Sequence, residues 1–380
     1  MIGVVAVLVV LAFAIACPLA WLVRGVSRRM GALDTEAIGG QVKAARRAIP
    51  NTGGVSIAIA FLLPLSFLAA GSGLLATATW LPESVREHLP GMLMRRSDLI
   101  WLLGCVSAIH LLGLIDDRRP LGPMVKLLCM LGLAAAVSYG TATRTLTLLD
   151  GIVGGAWLSM LVTTLWIAVV TNALNFMDNS DGLAAGVGVI VAGCLLAAAL
   201  ATGQWFVAAC LALLIGGMAG FLVFNFPPAS LFMGDSGSLV VGFVLAFLSI
   251  RVTYSQSEVG VAAAGAPLHA VLTPLVVLAV PIYDLVTVTV IRLRAGRSPF
   301  LGDLNHLSHR LRRRGLSARM MLLVVCGFTA MTAVGGLSLM HTDGVGAIAI
   351  GVQTLTILVV IAVLEYSAPL PAAGDRGENR

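Results

Sequence analysis

Long apolar stretches recur along the whole chain, and this recurrence limits the fold more than any other feature. A helix needs about 20 apolar residues to cross a bilayer. Charged residues make up only 11% of the chain, whereas soluble domains carry about 25%. The sequence therefore predicts an all-α polytopic membrane protein. Windows of bilayer length predict about eleven spans, at residues 2–23, 53–75, 98–115, 122–139, 157–174, 182–202, 205–224, 235–252, 268–293, 317–340 and 345–366.

The spans leave little room for any other kind of domain. Because the third and fourth spans are short and closely linked, a total of ten is the alternative. No soluble domain fits between two spans, so residues 1–371 are expected to form one transmembrane domain. Residues 372–380 are polar and predict a disordered tail. The first stretch lacks a preceding basic segment and exceeds the length of a signal-peptide core, which favours a retained helix.

The distribution of basic residues predicts how the chain lies in the membrane. If eleven spans alternate in direction, 19 of the 24 Lys and Arg residues fall on one side. Cytoplasmic loops carry an excess of Lys and Arg, so this side is predicted to be cytoplasmic, with the N-terminus outside and the C-terminus inside. The membrane is then expected to be the cell membrane. The net charge of +6 has the same explanation and predicts no nucleic-acid partner.

Four polar clusters are predicted to converge on the cytoplasmic face. Placing a carboxylate at membrane depth costs free energy, so a carboxylate found there is usually functional. Because the clusters are far apart in sequence but share one face, they predict a common site. They are Asp116 and Asp117 with Lys126; Asn172, Asn175, Asp178 and Asp181; Asn225 to Ser238, which includes Phe232 and Asp235; and Ser298 to Arg314, which includes Asp303, His306, His309 and Arg310.

Each cluster has a structural and a functional interpretation. The fourth is either an amphipathic basic loop at anionic lipid headgroups, or a site where His306, His309 and Arg310 bind a pyrophosphate or transfer protons. Asp116 and Asp117 are adjacent carboxylates. They either end a helix in solvent, or one of them acts as a general base while the other pairs with a cation. Asp181 is a candidate N-cap, although capping does not explain four polar residues at one spacing. Asp235 among Gly and Ser residues is typical of Mg²⁺, which proteins hold with one or two carboxylates plus substrate phosphates. Asp284, inside the ninth predicted span, is either functional or paired with Arg or Lys across the bundle.

The same four clusters resemble the motifs of the polyprenyl-phosphate N-acetylhexosamine-1-phosphate transferase superfamily, glycosyltransferase family 4. The similarity extends from about residue 43 to 311, and the histidine motif is most similar to the undecaprenyl-phosphate GlcNAc-1-phosphate branch. Pro50-Asn-Thr-Gly53-Gly54 also resembles the family's Pro-x-x-Gly-Gly. The matching motifs are Asp116-Asp117 with Leu121 and Lys126; Asn172, Asn175, Asp178 and Asp181; Asn225 with Phe232-Met-Gly-Asp235-Ser-Gly-Ser; and His306-x-x-His309-Arg310.

The resemblance implies a reaction and assigns roles. A UDP-N-acetylhexosamine would donate its sugar 1-phosphate to a polyprenyl phosphate and release UMP, in the first membrane step of a cell-envelope polysaccharide. Mg²⁺ would be the cofactor, with Mn²⁺ as a substitute, held by Asp235 and by Asn175 or Asp178. The implied catalytic residues are Asp116, Asp117, Asp178, Asp181, His306 and His309. The implied substrate-binding residues are Lys126, Asn172, Asn175, Asn225, Phe232 and Arg310.

Three positions depart from the family pattern, so the pattern does not identify which sugar is transferred. Asn179 stands where many members have Gly, Ser308 where His is common, and Leu304 where a basic residue is frequent. Another UDP-aminosugar or UDP-MurNAc-pentapeptide is therefore the alternative donor. A transporter with an intramembrane Asp and His path is the rival from another class. A catalytically inactive scaffold is the third alternative. For the assembly, the sequence leaves a homodimer open.

Overall fold

A computed structural model of the chain describes residues 2–31, 49–76, 86, 91, 94–258, 266–300 and 303–366. Within these ranges the regular structure is helical and contains no β-strand. The predicted disordered tail at 372–380 lies outside the described residues, as do the basic residues Lys43, Arg46 and Arg47 of the first loop.

Besides short helical turns at Thr147–Leu149, Asp150–Val153 and Leu339–His341, the described ranges contain thirteen helices of seven or more residues. They are α1 (Ile2–Arg29), α2 (Gly54–Ala76), α3 (Arg96–Arg118), α4 (Pro123–Gly140), α5 (Trp157–Met177), α6 (Leu183–Ala201), α7 (Trp205–Asn225), α8 (Asp235–Glu258), α9 (Ala266–Val277), α10 (Ala279–Arg294), α11 (Leu307–Arg313), α12 (Ala318–Ser338) and α13 (Gly344–Tyr366).

Ten helices within the described ranges are long and apolar enough to cross a membrane. The prediction of an all-α polytopic bundle is thereby confirmed. The number falls one below eleven because the predicted span 268–293 consists of two shorter helices, α9 and α10, separated at Leu278. Pro281 lacks an N–H and cannot donate to the carbonyl of Val277, which weakens the helix at this point.

The centre of the bundle is α8. Every residue from Ser236 to Thr253 is buried, and the helix contacts α2, α3, α5, α6, α7 and α9. A helix that is apolar all round is expected in the interior of such a bundle. Asp235 is the first residue of α8, so the polar start of the central helix meets the ends of α3 and α5.

Helices α3 and α8 approach closely at Gly113. A Cβ atom on Gly113 would lie 2.5 Å from the backbone nitrogen of Ser236. We expect Gly113→Ala to lower the free energy of unfolding by about 2 kcal/mol, within the usual cost of overpacking. The matched control is Gly104→Ala on the same helix, where a Cβ meets nothing within 4 Å. Thermal unfolding in detergent tests this, and equal Tm values for the two variants would contradict it.

Candidate active site

The start of the central helix is capped by a carboxylate from another helix. Asp117, near the end of α3, accepts hydrogen bonds from the backbone N–H groups of Asp235 at 2.8 Å and Ser236 at 3.1 Å. The first N–H groups of a helix have no partner within the helix itself, so such a cap satisfies them. At Gly234 φ is +71° and a Cβ would lie 2.7 Å from Asp117 Oδ2, which explains the Gly before Asp235.

A lysine bridges two carboxylates beside this cap. Lys126 Nζ, from the first turn of α4, donates to Asp116 Oδ2 at 2.9 Å and also to Asp235 Oδ2. The other oxygen of Asp116 accepts the backbone N–H of Leu121 at 2.8 Å. The two adjacent carboxylates at the end of α3 therefore differ in environment. Asp117 is bound to backbone N–H groups of α8, whereas Asp116 shares an ammonium ion with Asp235.

Of the two predicted asparagines on α5, one reaches this cluster. The Asn175 amide nitrogen donates to Asp235 Oδ1 and to Ser238 Oγ, both at 2.9 Å. The Asn172 amide donates to the carbonyl of Ala168 in its own helix at 2.9 Å. Asn175 therefore joins α5 to α8 at the acidic cluster, whereas Asn172 lies one helical turn away from it.

The two carboxylates after α5 also differ. Burial raises the pKa of the Asp178 carboxyl well above its usual range, and the charges of Asp235 and Asp117 raise it further. Asp178 is thus part of the acidic cluster. Asp181 accepts the backbone N–H of Ala229 at 3.0 Å and so ties its loop to the segment that precedes α8.

The segment before α8 is held by backbone contacts. Asn225 accepts the N–H of Gly182 and donates to the carbonyl of Leu231, each at 2.9 Å, so both ends of its buried amide are used internally. Phe232 donates its N–H to Pro50 at 2.8 Å and accepts the N–H of Gly53 at 2.9 Å. The Pro-x-x-Gly-Gly segment therefore holds the backbone of Phe232, whose side chain stays half-buried.

A second polar cluster forms around Asp284, which is fully buried in α10. Its carboxylate is 2.9 Å from His306 Nδ1, accepts the Leu307 N–H at 2.6 Å and lies 3.8 Å from Arg310 Nη2. The other ring nitrogen of His306 is 3.4 Å from Arg292 Nη2. Of the two interpretations of Asp284, the structure shows the pairing across the bundle. The same contacts bury His306, which was predicted to be catalytic.

Arg310 is also engaged inside the protein. Its Nη2 donates to Glu365 Oε1 and to Thr287 Oγ1, each at 3.0 Å, and the side chain is buried. Tyr283 donates to the second oxygen of Glu365 at 3.2 Å. The sequence indicated Arg310 as a phosphate ligand, whereas its guanidinium faces buried carboxylates. Glu365 was missed altogether, although a carboxylate inside the last apolar span was the available signal.

His309 is the accessible histidine of the pair. It is half-buried. Burial lowers the pKa of its imidazole to about 4, and the nearby charges of His306, Arg312 and Arg313 act in the same direction. His309 is therefore neutral at pH 7 and offers one donor and one acceptor rather than a positive charge.

The two clusters are joined by residues that the family pattern did not lead us to expect. Ser308 donates a hydrogen bond to Asn179 Oδ1, so two of the three departures from the pattern contact each other. The rings of Phe176 and His306 make an edge-on contact, with 5.3 Å between their centroids. The Arg292 guanidinium lies over the face of Phe176, 5.3 Å from the ring centroid. The histidine segment, residues 303–313, is thereby docked against the end of α5.

The acidic cluster suits a metal ion that is shared with a substrate. Within the described ranges, no three His, Cys, Asp or Glu side chains are arranged to hold an ion by themselves. Lys126 bridges Asp116 and Asp235, and the negative charges of Asp235 and Asp117 repel that of Asp178. Mg²⁺ is usually held by one or two carboxylates together with substrate phosphates, so the donor set fits this ion.

Known proteins are similar in sequence to this chain over most of its length. The model of the family described as "Glycosyl transferase family 4" matches residues 99–253. The probable undecaprenyl-phosphate N-acetylglucosaminyl 1-phosphate transferase of Bacillus subtilis (strain 168) is 30% identical over 308 residues, or 80% of this chain and 76% of that protein. The decaprenyl-phosphate N-acetylglucosaminephosphotransferase of Mycobacterium tuberculosis (strain ATCC 25618 / H37Rv) is 34% identical over 70% of this chain and 68% of its own length.

A relative with a different named substrate matches a shorter part of the chain. The phospho-N-acetylmuramoyl-pentapeptide-transferase of Moorella thermoacetica is 38% identical over 155 residues, or 37% of this chain and 49% of that protein. The long matches therefore place the chain with the N-acetylglucosaminyl 1-phosphate transferases. The chain belongs to glycosyl transferase family 4, the superfamily that its four motifs resemble, and is a multi-pass membrane enzyme of the sugar-phosphate transferase class.

Proposed function

We propose that this enzyme transfers N-acetylglucosamine 1-phosphate from UDP-N-acetylglucosamine to a polyprenyl phosphate, such as undecaprenyl phosphate, and releases UMP. The observation that carries the proposal is the ammonium of Lys126 between Asp116 and Asp235, at one end of a membrane bundle. Such a site takes an anion together with a cation and borders the lipid. The names of the relatives from Bacillus subtilis and Mycobacterium tuberculosis support the same class of acceptor and sugar.

In the proposed reaction, an oxygen of the lipid phosphate attacks the β-phosphorus of the donor. The bond from that phosphorus to the bridging oxygen breaks, and UMP leaves with the electron pair. Asp116 orients the attacking phosphate or accepts its proton, because Asp117 is used as the cap of α8. Lys126 attracts the phosphates. Phosphoryl transfer of this kind depends on positioning and charge neutralisation rather than on covalent chemistry by the protein.

The remaining site residues are assigned to the cofactor and the nucleotide. Asp235, with Asn175 or Asp178, would hold Mg²⁺, which supplies positive charge to the pyrophosphate when bound. Phe232 stacks on the uracil ring. His309 contacts a phosphate or the sugar through neutral hydrogen bonds. The face that carries the site also carries Arg24, Arg28, Arg29 and Arg118, and we assign it to the cytoplasm by the excess of basic residues.

The test is release of UMP by the purified full chain in detergent. Labelled UDP-N-acetylglucosamine, a polyprenyl phosphate and Mg²⁺ are expected to yield UMP and a lipid-linked sugar, and chelation of the metal is expected to stop both. UDP-N-acetylgalactosamine and UDP-MurNAc-pentapeptide are the comparison donors. A failure to release UMP from any UDP-aminosugar would refute the proposal, whereas a preference for one of the comparison donors would change only the sugar.

A further inference from the structure

Two loops that carry site residues are joined by a hydrogen bond between distant parts of the sequence. Ser308 Oγ donates to Asn179 Oδ1 across a separation of 129 residues. Ser308 is completely buried, so water does not compete for its hydroxyl. Asn179 lies just after α5, and Ser308 lies in the first turn of α11. The bond therefore connects the acidic end of α5 with the histidine segment.

The Asn179 amide is held from several directions. Its Oδ1 also accepts the hydroxyl of Ser180 at 3.1 Å, and its Nδ2 donates to the carbonyl of Phe176. The ring of Phe176 in turn packs against His306. With its donor and acceptor both used, the amide has one orientation, and that orientation points its oxygen at Ser308.

Each partner lies next to a residue of the proposed site. Asn179 follows Asp178 directly, and Ser308 precedes His309 directly. We propose that Asn179 and Ser308 are positioning residues that set the spacing between Asp178 and His309, and with it the affinity for the UDP-linked donor. This inference rests on the proposed function, which assigns Asp178 or Asn175 to the Mg²⁺ on the diphosphate and assigns His309 to a phosphate or the sugar of the donor.

The first arm of the test is binding of UDP-N-acetylglucosamine with Mg²⁺ to the purified full chain, measured by calorimetry without lipid. Ser308→Ala removes one buried oxygen and adds no atom, so the fold is kept, and Tm verifies this. We expect the Kd to rise about two- to tenfold, the range for one lost hydrogen bond. The KM for the donor should rise by the same factor, with the KM for the polyprenyl phosphate unchanged. A merely structural role would lower the active fraction and leave both KM values unchanged.

The second arm is a double-mutant cycle. Asn179→Ala leaves the buried Ser308 hydroxyl without its partner, so we expect weaker donor binding than in Ser308→Ala. The double variant should bind the donor no more weakly than Asn179→Ala alone, because both substitutions break the same bond. Ser138→Ala is the matched control, since Ser138 is also completely buried but its hydroxyl donates within its own helix, to the carbonyl of Ala134 at 2.7 Å.

The outcomes separate this inference from the proposed function. If the unsubstituted chain binds the donor and Ser308→Ala binds it equally well, the inference is wrong and the function stands. Additive effects in the double variant, or an equal loss in Ser138→Ala, would also overturn the inference. If the unsubstituted chain binds no UDP-sugar, the proposed donor is wrong, and the inference is refuted together with it.

Discussion

Asp235→Asn is expected to reduce UMP release by at least about 10³-fold, the size of effect seen when a charge-neutralising group is lost from phosphoryl transfer. Asp235 receives hydrogen bonds from both Lys126 and Asn175 and is the proposed ligand of Mg²⁺. An amide keeps the shape of the side chain but removes the charge. Tm is expected to change little, because a donor that loses its bond to residue 235 keeps another partner: Lys126 still donates to Asp116, and Asn175 still donates to Ser238.

The control for Asp235→Asn is the same substitution at an exposed carboxylate. Asp343 lies between α12 and α13, at the opposite end of the bundle, and is exposed. Asp343→Asn should keep full activity. UMP release over a range of Mg²⁺ concentrations is the measurement, with thermal unfolding of each variant beside it. Full activity of Asp235→Asn at every concentration would show that the assignment of the metal is wrong.

Asp116→Asn and Asp117→Asn are expected to separate catalysis from stability. Asp116→Asn should lower UMP release about 10³-fold, in the range for a lost general base, without a large change in Tm. Asp117→Asn should lower the free energy of unfolding by about 1 kcal/mol, as for loss of a helix N-cap. The reason is that Asp117 accepts two backbone N–H groups of α8, and an amide accepts only through its oxygen.

The two substitutions are compared by measuring activity and Tm on the same preparations. Asn at either position conserves volume, so each variant serves as the control for the other. A reversed pattern would assign the base to Asp117, namely an inactive Asp117→Asn with unchanged Tm beside an active Asp116→Asn. Loss of both activity and stability in Asp116→Asn would place that carboxylate in the structural framework.

Hydropathy alone predicted most of the fold, because the bilayer sets the length of every crossing helix. The exception is the break between α9 and α10. Proline is tolerated in membrane helices where neighbouring groups satisfy the freed backbone, so neither Pro274 nor Pro281 indicated a break. The convergence of Asp116, Asp178 and Asp235 also followed from the sequence, because their predicted loops share one face. Their roles remain predictions.

The details of the site consist of contacts between residues far apart in the sequence, which the spacing of motifs along the chain does not reveal. Nothing in an Asp-Asp pair indicates that Asp117 caps a helix 118 residues away. The contacts of His306 and Arg310 could not be predicted for a similar reason, and their roles stay predictions. A histidine or arginine in a polar loop suggests a ligand site, whereas the buried carboxylates that bind these two side chains come from α10 and α13. A signal did exist for Glu365, a lone carboxylate in an apolar stretch.

The pairing of Arg310 with Glu365 has a consequence for the order in which the protein matures. The two residues are separated by 55 positions, and Glu365 belongs to α13, the last of the described helices to leave the ribosome. Until α13 has entered the membrane, Arg310 is a buried cation without that partner. Insertion of α13 therefore completes the second polar cluster, so a chain synthesised only as far as α12 holds Asp116, Asp178 and Asp235 but lacks the contact that anchors Arg310 of the histidine segment.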